Sequence, residues 1–139
     1  MPNQAVLLGS LTIPGEPAYL HEAREFVART LGDGYDCCET AVLLTSELVT
    51  NSVQHSNSRL PGGTVTITVL AVLSGIRVEV IDDGAMTFPS VRTDEPEEPD
   101  LAEDGRGLRL IEALSALWDY FSDTAGTVTW FELAEPLPE

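Results

Sequence analysis

Apolar and polar positions along this chain fall into two alternating periods, one helical and one of strands. Between Asp36 and Ser56 the apolar residues Ala41, Leu44, Leu48, Val49 and Val53 recur at intervals of about three and four. That spacing predicts a helix with one buried stripe. Asp36 is placed to cap its first turn, and Glu39, three residues on, to reach back to it. Ahead of it, Leu20, Ala23, Phe26, Val27 and Leu31 predict a helix from Ala18 to Leu31 with Arg24 and Arg29 outside, ended by Gly32-Asp33-Gly34. A third helical pattern, Leu108, Leu110, Ile111, Leu114 and Leu117, opens at Gly105-Arg106-Gly107.

The other segments alternate. Leu7 to Ile13 reads as a strand, followed by the turn Pro14-Gly15-Glu16-Pro17. From Thr64 to Leu73, Val65, Ile67 and Val69 face one way and Thr64, Thr66 and Thr68 the other; after Ser74-Gly75, Ile76, Val78 and Val80 alternate with Arg77 and Glu79. This is a hairpin, ending at Asp82-Asp83-Gly84. Residues 85–104 have no period, carry Pro89, Pro96 and Pro99 and are densely acidic after Asp94; a stretch of that length predicts a lid or binding loop. Trp118 to Phe121 and Thr127 to Leu133 are the last strands, and the tail from Glu135 is expected to fray. The sequence of elements predicts an α+β fold: an α/β sandwich with a mixed, mainly antiparallel sheet and helices packed on one face.

Composition narrows the function. The 139 residues suit one domain, residues 1–139. A formal charge of −16 argues against nucleic acid and against an anionic membrane surface as partners. All seven basic residues are arginine, so neither a Walker-type nor a Schiff-base lysine exists. An anionic ligand must be held by backbone N–H groups, arginine or a metal. No run reaches membrane-spanning length and the start lacks a signal-peptide pattern, so the expected location is cytoplasmic. Cys37 and Cys38 are adjacent and too few for a structural zinc site.

Candidate chemistry sits in three patches. Glu47, Asn51 and His55 fall four apart along the edge of the apolar face of the central helix. Two readings fit that line: a solvated polar edge, or a site in which Asn51 offers a neutral oxygen to a hard cation such as Mg²⁺ and Glu47 accepts a proton. Asp82, at a strand end, could accept a hydrogen bond from a purine amino group, or simply make a turn with Gly84. Gly105 and Gly107 before a helix would let phosphate approach free N–H groups.

Glu47-Leu48-Val49-Thr50-Asn51-Ser52-Val53-Gln54-His55, Asp82-Asp83-Gly84 and Gly105-Arg106-Gly107-Leu108, in this order, resemble the boxes of the histidine-kinase-like ATPases (the GHKL, or Bergerat, fold). The Ile13 to Pro17 opening, the Leu43 to Asn51 run and the Thr129 to Leu133 close look like its stand-alone actinobacterial branch of anti-sigma factors that are also protein-serine kinases. The resemblance implies ATP and Mg²⁺ as cofactors, with Asn51 on the metal, Glu47 as general base, Asp82 on the adenine amino group with Gly84 allowing close approach, and His55 supporting the site. Gly105, Arg106, Gly107 and Leu108 would line the phosphate end, beneath the lid at 85–104. It implies a sigma factor or an anti-anti-sigma protein as partner, and a homodimer is compatible with it. Met86 stands where relatives often carry a second glycine, and Gly126-Thr127 lacks the lysine many carry. Two functions follow: a serine/threonine kinase acting on an anti-anti-sigma partner, or a non-catalytic ATP/ADP-binding module that sets a protein-binding surface.

Overall fold

In the computed structural model, residues 5–84 and 99–135 are described, with 99–106 described in their backbone only. Five strands, β1 (Val6–Pro14), β2 (Thr64–Val72), β3 (Gly75–Asp82), β4 (Leu117–Asp123) and β5 (Gly126–Ala134), form one sheet in the order β1-β2-β3-β5-β4. Every neighbouring pair is antiparallel. The expected sheet was mixed and mainly antiparallel; it is antiparallel throughout. Three α-helices accompany it: α1 (Leu20–Leu31), α2 (Cys38–His55) and α3 (Pro99–Leu114).

The alternation in sequence becomes the two faces of the sheet. Val65, Ile67 and Val69 of β2, Ile76, Val78 and Val80 of β3 and Phe131 and Leu133 of β5 are buried, and the residues between them are mostly half-buried. The buried set packs with Ala23 and Val27 of α1, Ala41, Leu44, Leu48 and Val49 of α2, and Leu108 and Ile111 of α3 in a single apolar core. The helices therefore cover one face, as the pattern predicts. On the other face the Arg77 guanidinium lies 3.8 Å from the centre of the Trp130 ring and pairs with Glu79 at 2.9 Å and Glu132 at 3.2 Å. Among the described residues no helix is long and apolar enough to cross a membrane.

Several local expectations are corrected. Asp36 does not cap α2: Cys37 occupies that position and makes no side-chain cap. The cap comes from the far end of the chain, where the Glu135 carboxylate accepts from the N–H groups of Asp36 at 2.8 Å and Cys37 at 3.1 Å. An anion at a helix start satisfies orphan donors and faces the positive end of the helix dipole. Glu135 is thus anchored where fraying was expected; residues 136–139 lie outside the described residues. The helix α3 starts at Pro99, so residues 99–104 are helical and Gly105-Arg106-Gly107 lies inside α3 instead of opening it. Proline suits a first helical position because its φ is already set and the missing N–H has no partner there anyway. Leu117 is not part of the helical stripe: α3 stops at Leu114, and Leu117 opens β4 opposite Glu132. Of the lid expected at 85–104, residues 85–98 lie outside the described residues and 99–104 belong to α3.

Two stability predictions follow from this packing. The Thr45 hydroxyl is fully buried on α2 with no hydrogen-bond partner among the described residues. An orphan hydroxyl costs about 1–3 kcal/mol. Thr45→Val should therefore raise the urea midpoint by an equivalent amount, and a lowered midpoint would refute it. The second concerns the cap. Burial pushes the Glu135 carboxyl up, but the Asp36 N–H, the Cys37 thiol and the Cys37 N–H outweigh it and leave it below the ordinary value. The cap then stabilises above the ordinary carboxyl value and is lost as pH falls through the lowered one. In turn, burial and then the Glu135 carboxylate push the Cys37 thiol up to about 12. Glu135→Ala should cost about 0.5–1 kcal/mol, the lower part of the range for a lost cap because solvent screens this one. It should also speed alkylation of Cys37, since the thiolate is the reactive form; equal labelling rates in both proteins would count against the contact.

Candidate functional site

The central helix α2 has two kinds of buried positions. Toward its start the stripe is aliphatic, with Ala41, Leu44, Leu48 and Val49; toward its end Ser52 joins Val53 on the buried side. The buried serine meets the end of β3. Ser52 Oγ donates to Asp82 Oδ2 at 2.6 Å, and the Gly84 N–H donates to Asp82 Oδ1 at 2.8 Å. Both oxygens of Asp82 are thereby held. Burial pushes the Asp82 carboxyl above its ordinary value, the bonds from Ser52 and Gly84 draw it down, and the neighbouring Asp83 charge adds to the rise. The net direction is upward.

A chain of serines continues from this contact. Ser56 Oγ donates to the Ser52 carbonyl at 2.7 Å and accepts from the Ser58 N–H at 3.0 Å. Ser58 Oγ donates to the Thr64 carbonyl at 2.6 Å and accepts from the Asp83 N–H at 2.8 Å, while Asp83 Oδ2 accepts from the Thr64 N–H at 3.1 Å. The Asn57 N–H donates to the Gly84 carbonyl at 2.6 Å. The end of α2, the start of β2 and the end of β3 are locked together. Gly84 has φ +86°, and a Cβ there would approach the Gly126 Cα to 3.3 Å, so backbone conformation and space both ask for glycine.

The third patch meets α2 on another side. Gly107 is buried, and a Cβ on it would come within 3.1 Å of Glu47 Oε1 and 3.9 Å of Asn51 Nδ2. The missing side chain is what lets α3 lie against those two groups, both half-buried. So α2 brings the three patches together: Ser52 to Asp82, and Glu47 with Asn51 to Gly107. His55 is the last residue of α2 and is exposed. Leu108 is buried in the apolar core. Gly105 and Arg106 fall within α3, and the expected ligand contact of the Arg106 side chain lies outside the described side chains. Free N–H groups at 105 and 107 were expected from a helix start there; within α3 these positions lie beyond the first turn, where N–H groups bond along the helix.

Among the described residues no group of three or more His, Cys, Asp or Glu side chains is placed to hold a metal on its own. A separate hollow lined by Ile13, Gly15, Ser58, Leu60 and Gly63 contains none of the expected site residues.

Ser52, Ser56 and Ser58 were missed as site residues in the sequence. The signal was there, since Ser52 and Ser56 continue the three-and-four spacing of the buried stripe. It is masked because a serine in a helix reads as neutral or exposed.

Comparison with known proteins bears on the fold. A model of the histidine kinase-like ATPase domain matches residues 13–133. No curated protein matches the chain. The structure of the RsbU and RsbW domains of Rv1364c from Mycobacterium tuberculosis superposes with a TM-score of 0.60 at 20% identity, over 94% of this chain and 33% of that one. The EL346 blue-light-activated histidine kinase of Erythrobacter litoralis gives 0.52 at 27% identity, over 88% of this chain and 42% of that one. The histidine kinase domain of the same protein gives 0.51 at 27% identity and is covered over 61% of its length. This chain spans less than two thirds of each of these three.

Proposed function

The chain belongs to the histidine kinase-like ATPase family, and on that premise we propose that it binds ATP with Mg²⁺ and transfers the γ-phosphoryl group to a serine of a protein partner. The observation that carries the proposal is the meeting of three separate patches on α2: Asp82 held on both oxygens through Ser52 and Gly84, and Gly107 against Glu47 and Asn51. Asp82, an acceptor when ionised, suits the 6-amino group of adenine. Glu47 and Asn51 lie where α3 packs at Gly107, and Asn51 carries a neutral amide oxygen. One hard donor of that kind suits Mg²⁺, which takes few protein ligands and completes its shell with water and phosphate. Bound there, the ion would neutralise phosphate charge in a chain of net charge −16 without a lysine.

In this reading Glu47 accepts the proton of the attacking hydroxyl. Gly107 gives the phosphate end room, together with Gly105, Arg106 and Leu108 of the same segment, while His55 supports the site from the end of α2. The partner is an anti-anti-sigma protein or a sigma factor, in keeping with the branch the motifs resemble, and the setting is cytoplasmic. One observation favours a second reading, a nucleotide-binding module without transfer: with α3 beginning at Pro99, the N–H groups at 105 and 107 belong to the helix instead of facing phosphate.

Calorimetric titration of ATP with and without Mg²⁺ tests the site, and labelled ATP with a serine-bearing partner tests transfer. Asp82→Asn should weaken ATP about 10–100-fold, as expected for one lost charged hydrogen bond. Unchanged affinity would reject Asp82 as the base contact. Glu47→Ala should keep binding and slow transfer about 10²–10⁴-fold. Binding without transfer in the parent protein would leave the second reading standing.

A further inference from the structure

We propose that Ser52 is a positioning residue for base recognition, fixing the Asp82 carboxylate so that a lone pair stays directed at the amino group of the purine. The proposal rests on the reading that Asp82 contacts adenine.

Ser52 follows Asn51 directly on α2, yet it is 5% exposed and faces the end of β3. Its own backbone is pinned, since its carbonyl accepts both the N–H and the hydroxyl of Ser56. The hydroxyl is therefore delivered to a fixed place, and at 2.6 Å from Asp82 Oδ2 it lies in the range of charge-assisted O–H···O⁻ bonds. The Gly84 N–H holds the other oxygen at 2.8 Å. An ionised carboxylate has about four acceptor positions. One bond on each oxygen stops rotation of the group and leaves a lone pair on each for a ligand.

The same bond controls the proton. A serine hydroxyl has one hydrogen, and donating it to Asp82 favours the ionised form. The charged group acting on Asp82 is Asp83, the residue just after β3, whose carboxylate also accepts from Thr64. From α2 the group that meets it is Ser52, and from β5 Thr127 stands opposite in register; neither titrates near neutral pH. Without the Ser52 hydroxyl, burial and Asp83 would press the carboxyl upward with the Gly84 N–H alone opposing them. The sign is definite: protonation would set in at higher pH, and a protonated carboxyl is the weaker acceptor.

A serine that served only to seat α2 would, on removal, lower nucleotide affinity by the same factor at every pH. A positioning serine would move the acid limb of binding. The test is ATP affinity from pH 5 to 8 for the parent, Ser52→Ala and Asp82→Asn, with the Asp82 carboxyl also titrated by carbon NMR in the nucleotide-free parent and Ser52→Ala proteins. The γ-phosphate titrates alike in all samples, so differences between the curves belong to the protein. Ser52→Ala should shift the acid limb and the Asp82 titration upward by about one pH unit, a tenfold change in proton affinity, with affinity at pH 8 reduced about threefold or less. A uniform drop across pH, or an Asp82 titration equal in both proteins, overturns the proposal. The two ideas fail separately. If Asp82→Asn leaves affinity unchanged, the base contact itself is wrong; if it weakens ATP while Ser52→Ala matches the parent curve, only the role of Ser52 is wrong.

Discussion

The contact on which this architecture turns is the docking of the last turns of α2 onto the end of β3. Apolar packing alone could not fix it. The stripe of Ala41, Leu44, Leu48 and Val49 seats the helix on the sheet, but hydrophobic contact is non-directional and tolerates small slides along the axis. The bonds from Ser52 to Asp82, from Ser56 to the Ser52 carbonyl, and from Ser58 to Thr64 and Asp83 do not. Each has a narrow range of length and angle. Ser56 and Ser58 are almost wholly buried, so breaking any one bond would leave a polar atom without water to replace its partner. The serines thus set the register of α2, and with it the placement of Glu47 and Asn51, which lie about two and a half and one and a half turns back from Ser56.

Electrostatics explain why that register matters. A chain of charge −16 repels an anionic ligand at long range, and screening confines that repulsion to about 8 Å at physiological salt. What happens within the site is decided by local groups. Arg77 is committed elsewhere, stacked on Trp130 and paired with two glutamates on the face of the sheet away from the helices. In the proposed function the positive charge comes from Mg²⁺ on oxygen donors of α2. A metal held by the Asn51 amide, with phosphate and water as its other ligands, and a proton acceptor at Glu47 beside it both depend on side chains being placed to within a fraction of an ångström. A helix locked by directional bonds supplies that.

Much of the fold was legible because its period was legible. The hairpin of β2 and β3 alternates from Thr64 to Val69 and from Ile76 to Val80, and each residue expected inside is buried. The Asp82-Asp83-Gly84 corner was legible too, since its glycine takes the left-handed conformation that a turn asks for. What escaped the sequence was non-local or masked. The cap of α2 comes from Glu135, 98 residues beyond Cys37, and no local pattern could have pointed there when Asp36 and Glu39 already offered a plausible cap. The start of α3 was misplaced because glycines read as punctuation, whereas Gly107 is helical and small for a packing reason: it leaves room for Glu47 and Asn51. Ser52 was hidden by its type, since only the structure shows that its hydroxyl points inward.

The site has a stiff half and a soft half. Asp82 is tied to α2 by the Ser52 bond on one carboxylate oxygen, the Gly84 N–H holds the other, and the Gly84 carbonyl accepts from Asn57 just beyond the helix. Among the described residues no bond of that kind ties Gly107 to α2; α3 is seated by Leu108 and Ile111 in the core, and the glycine permits its close approach to Glu47 and Asn51. Directional bonds resist displacement more steeply than apolar packing does, so a change of ligand would be absorbed at α3 before it is felt at Asp82. For a nucleotide-binding protein that division has a use. The base, common to ATP and ADP, would be read by the rigid corner, while the phosphates, which differ between them, would meet the helix that is free to adjust. A signal carried by α3 would then report the state of the phosphates without loosening the grip on the base.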